Sequence, residues 1–347
     1  MQDRARQRAG VLGFSLVGAA VIAVAYGFAR FALGQFVPAL RADLGLAGAT
    51  LGLIGALPFA GFCLSSLGAA RVVERLGPRR AAQLVLALGA AGLAIMALAA
   101  SPLVLGAGAL LGGISTGLSM PALAAGARAR VPPERHARSE AIMNAGTSAG
   151  VALVAPVAAL AAGAWREAYL VFALAAMLLL PVVSAVVPAE GARVRARAGT
   201  PGPDGGQRDA VRRLVAFATL MGFAAAPFWL FAPERADARG AGAVALLWAV
   251  LGLGGLVAGG VGDVAARLGD RLAQAGAALL LALGSVLAAL TTDPLLLLPG
   301  AAAFGLGYMS LTGLYLVTGT RILARRPALG PVIPFVAIAA GQACGAG

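Results

Sequence analysis

The sequence predicts an all-α integral membrane protein with about eleven spans, and three observations carry the prediction. The first is composition: 60% of the 347 residues are hydrophobic, 12% are charged and 49 are glycine, which does not suit a water-soluble globular domain. The second is the apolar runs, at roughly 11–37, 49–70, 81–100, 102–126, 139–163, 166–187, 213–233, 241–262, 273–291, 294–320 and from 329 onward. At ~1.5 Å per helical residue, each is about long enough to cross a ~30 Å hydrocarbon layer. The third is the placement of cations. With the N-terminus inside, Arg41, Arg166, Arg235 and Arg239 fall outside and Arg30 within a span, which leaves 27 − 5 = 22 basic residues on the inner side. That bias is the positive-inside rule, and it predicts a multi-pass protein of the cytoplasmic membrane with a cytoplasmic N-terminus. The net charge of +13 then reports topology and some attraction to anionic lipid headgroups, and no nucleic-acid partner is expected.

In the first span, Arg30 is the one charge that cannot easily reach an interface, because some seven apolar residues separate it from Pro38. A cation at such depth costs at least ~2.5 kcal/mol unless it faces a cavity, water or a partner, so Arg30 is a functional candidate. The alternative is that it snorkels, or bonds to carbonyls and pins two helices. In an α-helix Tyr26 lies one turn before it and Gly34 one turn after, leaving room beside the guanidinium. A short external connection, Arg41-Ala42-Asp43-Leu44-Gly45, leads to the second span.

Arg71-Val72-Val73-Glu74-Arg75-Leu76-Gly77-Pro78-Arg79-Arg80-Ala81 then reads as a cationic hairpin at the inner surface, reversing at Gly77-Pro78. Spans three and four are joined only by Ser101-Pro102. Span four holds Gly108, Gly112, Gly113 and Gly117, spaced for close helix packing, and Ser115 and Ser119 on one face. Those hydroxyls either line a polar path or bond to carbonyls one turn back. A basic inner loop, 127–138, carries the lone His136, a surface residue in this reading. Span five opens with Glu140 and Asn144, and the Asn144 amide is either interhelical glue or a solute ligand. Trp165-Arg166-Glu167 suits an interfacial belt.

The segment 188–212, rich in arginine, acids, glycine and proline and without apolar periodicity, is a cytoplasmic linker between a bundle at 1–187 and a second at 213–347. Span seven carries Phe223, Pro227, Phe228 and Trp229, which suit either a bent cavity wall or lipid contact. Span ten places Tyr308, Thr312 and Tyr315 in a polar-aromatic stripe, facing a pore or packing on neighbours. Cys63 and Cys344 lie within spans without metal-ligand spacing and read as small packing residues.

The chain also repeats itself. Arg75-Leu76-Gly77, Arg79 and Ala81 return as Arg267-Leu268-Gly269, Arg271 and Ala273, and Gly146 and Gly150 return as Gly341 and Gly345. Span eleven thus corresponds to span five, nothing corresponds to span six, and the second bundle is expected to be incomplete, with five spans.

Two sets of six spans, a long inner linker and a cationic hairpin after the second span of each set resemble the major facilitator superfamily. Its hairpin signature is approximately Gly-x-x-x-Asp-Arg-x-Gly-x-Arg-Arg. Glu74, Arg75, Gly77, Arg79 and Arg80 match it, with Ala70 at the leading glycine, and Gly262, Arg267, Gly269 and Arg271 match in the second copy, with Ala266 at the acid. The resemblance covers the whole chain and implies two pseudo-symmetric six-helix bundles, with spans one, four, seven and ten lining a central cavity. Arg30, Ser115, Ser119, Phe223, Tyr308, Thr312 and Tyr315 would then face a small-molecule solute, and Tyr26 and Asn144 join them as candidates. Glu74, Arg75, Gly77, Arg79 and Arg80, with Asp263, Arg267, Gly269 and Arg271, would form inner gates whose charges re-pair as the halves rock.

Some family features are altered. Ala109 stands where many proton-coupled members have an arginine, if Gly113 is the glycine that follows it. The antiporter pattern is partial in Gly146, Gly150, Ala155 and Pro156, and Asp263 and Asp293 lie only at span ends. A proton as coupling ion is left open. The leading expectation is a monomeric secondary transporter of a small solute, with an anionic group read by Arg30. Efflux of hydrophobic compounds and a non-transporting sensor, scaffold or remnant are the alternatives. No metal-ligand cluster, nucleophile elbow, catalytic carboxylate pair or phosphate-binding glycine loop is present, so neither an enzyme nor a cofactor is expected.

Overall fold

The computed structural model describes residues 2–161, 164–190, 205–238, 240–323 and 329–346, and the regular elements among them are helices. The first, α1 (2–35), begins as an α-helix (Gln2–Ile22), continues as a π-helix (Ala23–Phe31) and closes in a short turn (Ala32–Gln35). Then come α2 (Val37–Leu44), α3 (Gly48–Ala97), α4 (Pro102–Arg130), α5 (His136–Leu160) and α6 (Trp165–Val186). The remainder are α7 (Gly205–Asp237), α8 (Ala241–Val257), α9 (Val261–Leu268), α10 (Asp270–Leu290), α11 (Pro294–Ile322) and α12 (Leu329–Ala346). Among the described residues nine helices are long and apolar enough to cross a membrane. One of them, α3, is two spans joined at Gly77, and the shorter apolar helix Val332–Ala346 adds another, so 9 + 1 + 1 recovers the eleven runs read from sequence. Leu103, Leu160 and Leu295 are each more than 80% exposed, as leucines facing lipid should be.

The reversal at Gly77 is tighter than the expected hairpin. Helix continues to Leu76 and resumes at Pro78, and only Gly77 leaves helical geometry, at φ 75° and ψ 164°. That region is open essentially to glycine alone, and proline suits the helix start that follows because its missing N–H has no partner to lose there. Gly269, between α9 and α10, adopts φ 87° and ψ 150°, so the sequence repeat is also a backbone repeat. Other boundaries move as well. The eighth span does not stop at 262 but passes through a 3-10 turn at Ala258–Gly260 to Leu268. The external connection is itself helical as α2, ended by Gly45 at φ 62°. Residues 205–212 of the expected linker belong to α7, and 191–204 lie outside the described residues.

A second repeat explains why these helices approach closely. A Cβ at Gly146 or Gly150 would strike the backbone of α1 at Ala19 or Ala23, and one at Gly341 or Gly345 would strike α7 at Thr219 or Phe223. The same pair of glycines thus seats α5 on α1 and α12 on α7, with backbones in contact as in small-residue packing in lipid. The helices of 2–186 meet those of 205–346 mainly where α5 faces α8, with Gly252 against Ala152, and where α3 faces α12. A third meeting point, α2 against α7, closes the end of the seam at Arg41.

Candidate functional site

All nine residues of the π-helix are buried. Gly27 leaves no room for a side chain against Gly150 Cα, 2.5 Å from where its Cβ would stand, and Thr116 Oγ1 donates to the Ala25 carbonyl at 2.8 Å from across the helix pair. A side chain inserted into a helix ladder is a recognised cause of local distortion. The i→i+5 turn brings Phe31 to the same side as Tyr26 and Arg30, and all three line one small cavity. Asn144 and Thr147 of α5, Tyr308, Met309 and Thr312 of α11, and Phe335 and Ile338 of α12 complete it. No acid lines it. In this form it encloses about 20 Å³, the room of a water molecule or so.

Arg30 is 5% exposed at the centre of this seam. Its Nη2 donates to Gln342 Oε1 at 3.0 Å, joining α1 to α12, while its Nε and the Gln342 Nε2 are buried without a hydrogen-bond partner. The Tyr308 hydroxyl lies near Gln342, but not in a geometry that satisfies Nε2. Four rings surround the guanidinium carbon, with centroids at 4.5 Å (Phe59), 4.9 Å (Phe62), 5.2 Å (Phe31) and 5.5 Å (Tyr26). Ring faces of negative potential within ~6 Å partly replace the water the cation has lost.

Toward the Arg41 end an aromatic plug lies over the cavity. Trp229 stacks on Phe31 at 4.3 Å, meets Tyr308 edge-on at 5.4 Å and Trp248 at 6.1 Å, and Phe228 stacks on Phe304 at 3.8 Å. Gly34 admits the Trp229 carbonyl into contact with α1. Beyond the plug, Arg41 Nη1 pairs with Glu234 Oε1 at 2.6 Å, and Arg166 holds both Asp43 (2.5 Å) and the Ala99 carbonyl (2.9 Å). Among the described residues, the side-chain hydrogen bonds that join 2–186 to 205–346 are Arg30 to Gln342, Arg41 to Glu234 and a long one from Cys63 Sγ to the Val336 carbonyl at 3.7 Å. They lie at the cavity or toward Arg41.

The structure brings Tyr26, Arg30, Asn144, Tyr308 and Thr312 together and leaves four expected solute residues outside the cavity. Ser115 and Ser119 are fully buried in α4 and donate to the Gly112 and Thr116 carbonyls at 2.7 and 2.6 Å, so the one-turn-back alternative holds for both. Phe223 is 53% exposed, because its backbone rather than its ring faces α12 at Gly345. Tyr315 is buried but does not line the cavity. In this form the walls of this small cavity come from spans one, five, ten and eleven, and spans four and seven, expected to line it, do not contribute to them. Of the expected gate charges, Arg79 donates to the Val187 carbonyl at 2.8 Å, while Glu74, Arg75, Arg80, Asp263, Arg267 and Arg271 are exposed. The acid that pairs in the second hairpin is Asp270, with Arg321 at 2.6 Å.

Gln342 was not singled out from sequence, nor were Thr147, Phe59 and Phe62. One signal was present: Thr147 and Gln342 occupy the same position of the glycine repeat, and both reach the centre. Cys344, expected as a packing residue, is exposed.

Comparison with known proteins agrees with this architecture. The family model described as Major Facilitator Superfamily matches residues 19–333. No curated protein matches the sequence. Similar solved structures include a point mutant of the nucleoside transporter NupG, at 12% identity and a TM-score of 0.76, covering 97% of this chain and 89% of that one. Another is a partially occluded inward-open form of the xylose transporter XylE from E. coli, at 14% identity and 0.74, covering 97% and 91%. A third is a POT family transporter in complex with 5-aminolevulinic acid, at 12% identity and 0.73, covering 97% and 89%.

Proposed function

From the premise that this chain belongs to the major facilitator superfamily and is a multi-pass membrane transporter, we propose that it moves a small anionic solute by alternating access between bundles 1–187 and 213–347. The observation that carries the reading is Arg30, a buried cation in an acid-free cavity on the seam between the bundles. In a low dielectric such a charge attracts an anion strongly and gives a cation nothing to bind. The plug and the Arg41–Glu234 pair close one end; at the other, Glu74, Arg75, Arg80, Asp263, Arg267 and Arg271 are exposed, which supports reading that end as the open one. With the positive-inside orientation this is an inward-facing form in the cytoplasmic membrane.

Proteoliposomes given radiolabelled monocarboxylates, sugars and nucleosides test the solute reading. Uptake of a carboxylate that is lost in Arg30→Ala and reduced in Arg30→Lys is the expected result. Uptake unchanged in both variants, whatever the solute, removes Arg30 from the site. Alternating access has its own reporter. Leu230 is buried where the bundles meet near Gly55 of α3, so a Leu230→Cys thiol, with Cys63 and Cys344 replaced by alanine, reacts with an impermeant maleimide only when the Arg41 end opens. A thiol that never reacts in folded protein, but does so once denatured, refutes the cycle.

A further inference from the structure

The geometry around Arg30 narrows the solute, and we infer that the site takes a planar, conjugated monocarboxylate, an aromatic acid of about benzoate size. The inference rests on the transporter reading and adds a chemical class to it.

The first step is the fork. Nε–H and Nη2–H of an arginine lie on one edge of the guanidinium and point the same way, matching the two oxygens of a carboxylate. Here Nη2 is taken by the single carbonyl oxygen of Gln342 and Nε is empty. Gln342 therefore half-fills a two-pronged site, and its own Nε2, also empty, is a third buried donor beside it. A carboxylate accepts from all three, since its oxygens offer about four lone-pair positions, once the amide turns its nitrogen toward the newcomer. A neutral hydroxyl or carbonyl leaves at least one of these donors unpaired in a buried site, where that is costly.

The second step is charge. One guanidinium and no acid face the cavity, so a monoanion cancels the charge and a dianion leaves one buried negative charge without a partner.

The third step is shape. Rings within 5.5 Å crowd the guanidinium, so an anion approaches along its edge and not across a covered face. A carboxylate in that plane has its carbon skeleton among the lining rings of Tyr308 and Phe335, which stack with a conjugated ring and fit a puckered one poorly. At about 20 Å³ the cavity does not yet hold such a ring, so entry displaces Gln342 and parts α12 from α1. That is the direction in which the Arg30–Gln342 hydrogen bond is broken and replaced by two.

The test uses the purified full chain in detergent and reads its tryptophan fluorescence, in which Trp229 reports on the site because it touches both Phe31 and Tyr308. It is titrated with benzoate, cyclohexanecarboxylate, phthalate and benzamide. The expected result is saturable binding of benzoate, at least ten-fold tighter than the puckered acid, the dianion and the neutral amide. Arg30→Lys, which keeps the charge and loses the fork, weakens benzoate at least ten-fold. Gln342→Glu ties a carboxylate permanently into the fork, abolishes benzoate binding and leaves the melting temperature equal or higher, which separates it from misfolding. Benzamide or cyclohexanecarboxylate binding as well as benzoate, Gln342→Glu retaining full affinity, or no benzoate binding at all overturns the inference. In that last case the Leu230→Cys reporter divides the outcomes: a thiol that still cycles leaves the transporter reading standing, and one that never opens removes both.

Discussion

Gly34 to alanine tests whether closure of the Arg41 end is one of two states or a fixed feature. A methyl at this position would collide with the Trp229 carbonyl and lie 2.6 Å from Trp248 Cη2 and 2.9 Å from Cζ2. A backbone oxygen and a fully buried indole have little freedom to retreat, so α7 and α8 must move away from α1. Overpacking of this kind costs about 1–3 kcal/mol. The clash exists only while the two bundles are pressed together at this end, so the cost falls on the closed state and not on the fold of either bundle. The population with the Arg41 end open then rises about 5- to 150-fold. Maleimide labelling of Leu230→Cys reads the change directly as a faster rate. Gly113→Ala is the control, because its methyl would collide with Pro58 within the same bundle. It lowers thermal stability without changing the labelling rate. If Gly34→Ala labels no faster than the parent while Gly113→Ala behaves as stated, the Arg41 end is not a gate.

Two further outcomes follow from the same geometry. Glu234→Gln removes one charge of the Arg41 pair, whose side chains are 40% and 25% exposed. Solvent screening holds the loss to about 0.5–1 kcal/mol, so Leu230→Cys labels only about two- to five-fold faster, and less so in high salt. Gly77→Ala forces a Cβ onto φ 75° and toward the Ala189 carbonyl, whereas the space around Gly269 is open. Thermal unfolding in detergent should show Gly77→Ala destabilised by about 1–3 kcal/mol and more than Gly269→Ala, and an equal loss in the two would deny the contact with Ala189.

What the sequence made legible divides by the range of the interactions involved. Span number, the reversals at Gly77 and Gly269 and the pairing of Gly146 with Gly341 depend on length, local backbone preference and repetition, all visible along one strand of text. Arg30 was legible for a thermodynamic reason: a cation so far from an interface needs an explanation wherever the helix packs. The rest depends on rotation about helix axes. A π-helix turns Phe31 into the cavity, and no propensity of Ala23-Val24-Ala25-Tyr26-Gly27 announces it, while the contacts it makes there, with Gly150 and Thr116, come from other helices. Phe223 was misplaced for the same reason: an aromatic next to a bend suits cavity or lipid equally until Gly345 is seen to claim the backbone side of that turn. Gln342 was overlooked because its role needs Arg30 opposite, 312 residues away.

The balance around Arg30 bears on why the cavity has no acid. Placing an arginine deep in the hydrocarbon layer costs about 2.5–3.5 kcal/mol on insertion scales. One hydrogen bond from a charged donor returns about 1.5–3 kcal/mol, and the surrounding rings add something of the same order. The resting cation is therefore tolerable but not neutralised. An Asp or Glu in place of Gln342 would neutralise it, and an arriving anion would then have to displace a charge instead of an amide. On the proposed reading the exchange with Gln342 would be nearly even: an amide oxygen would leave Nη2, a carboxylate would take both prongs, and on release the amide would return. A carrier must let its solute go on the far side, and a partner that holds Arg30 weakly makes both arrival and departure shallow steps.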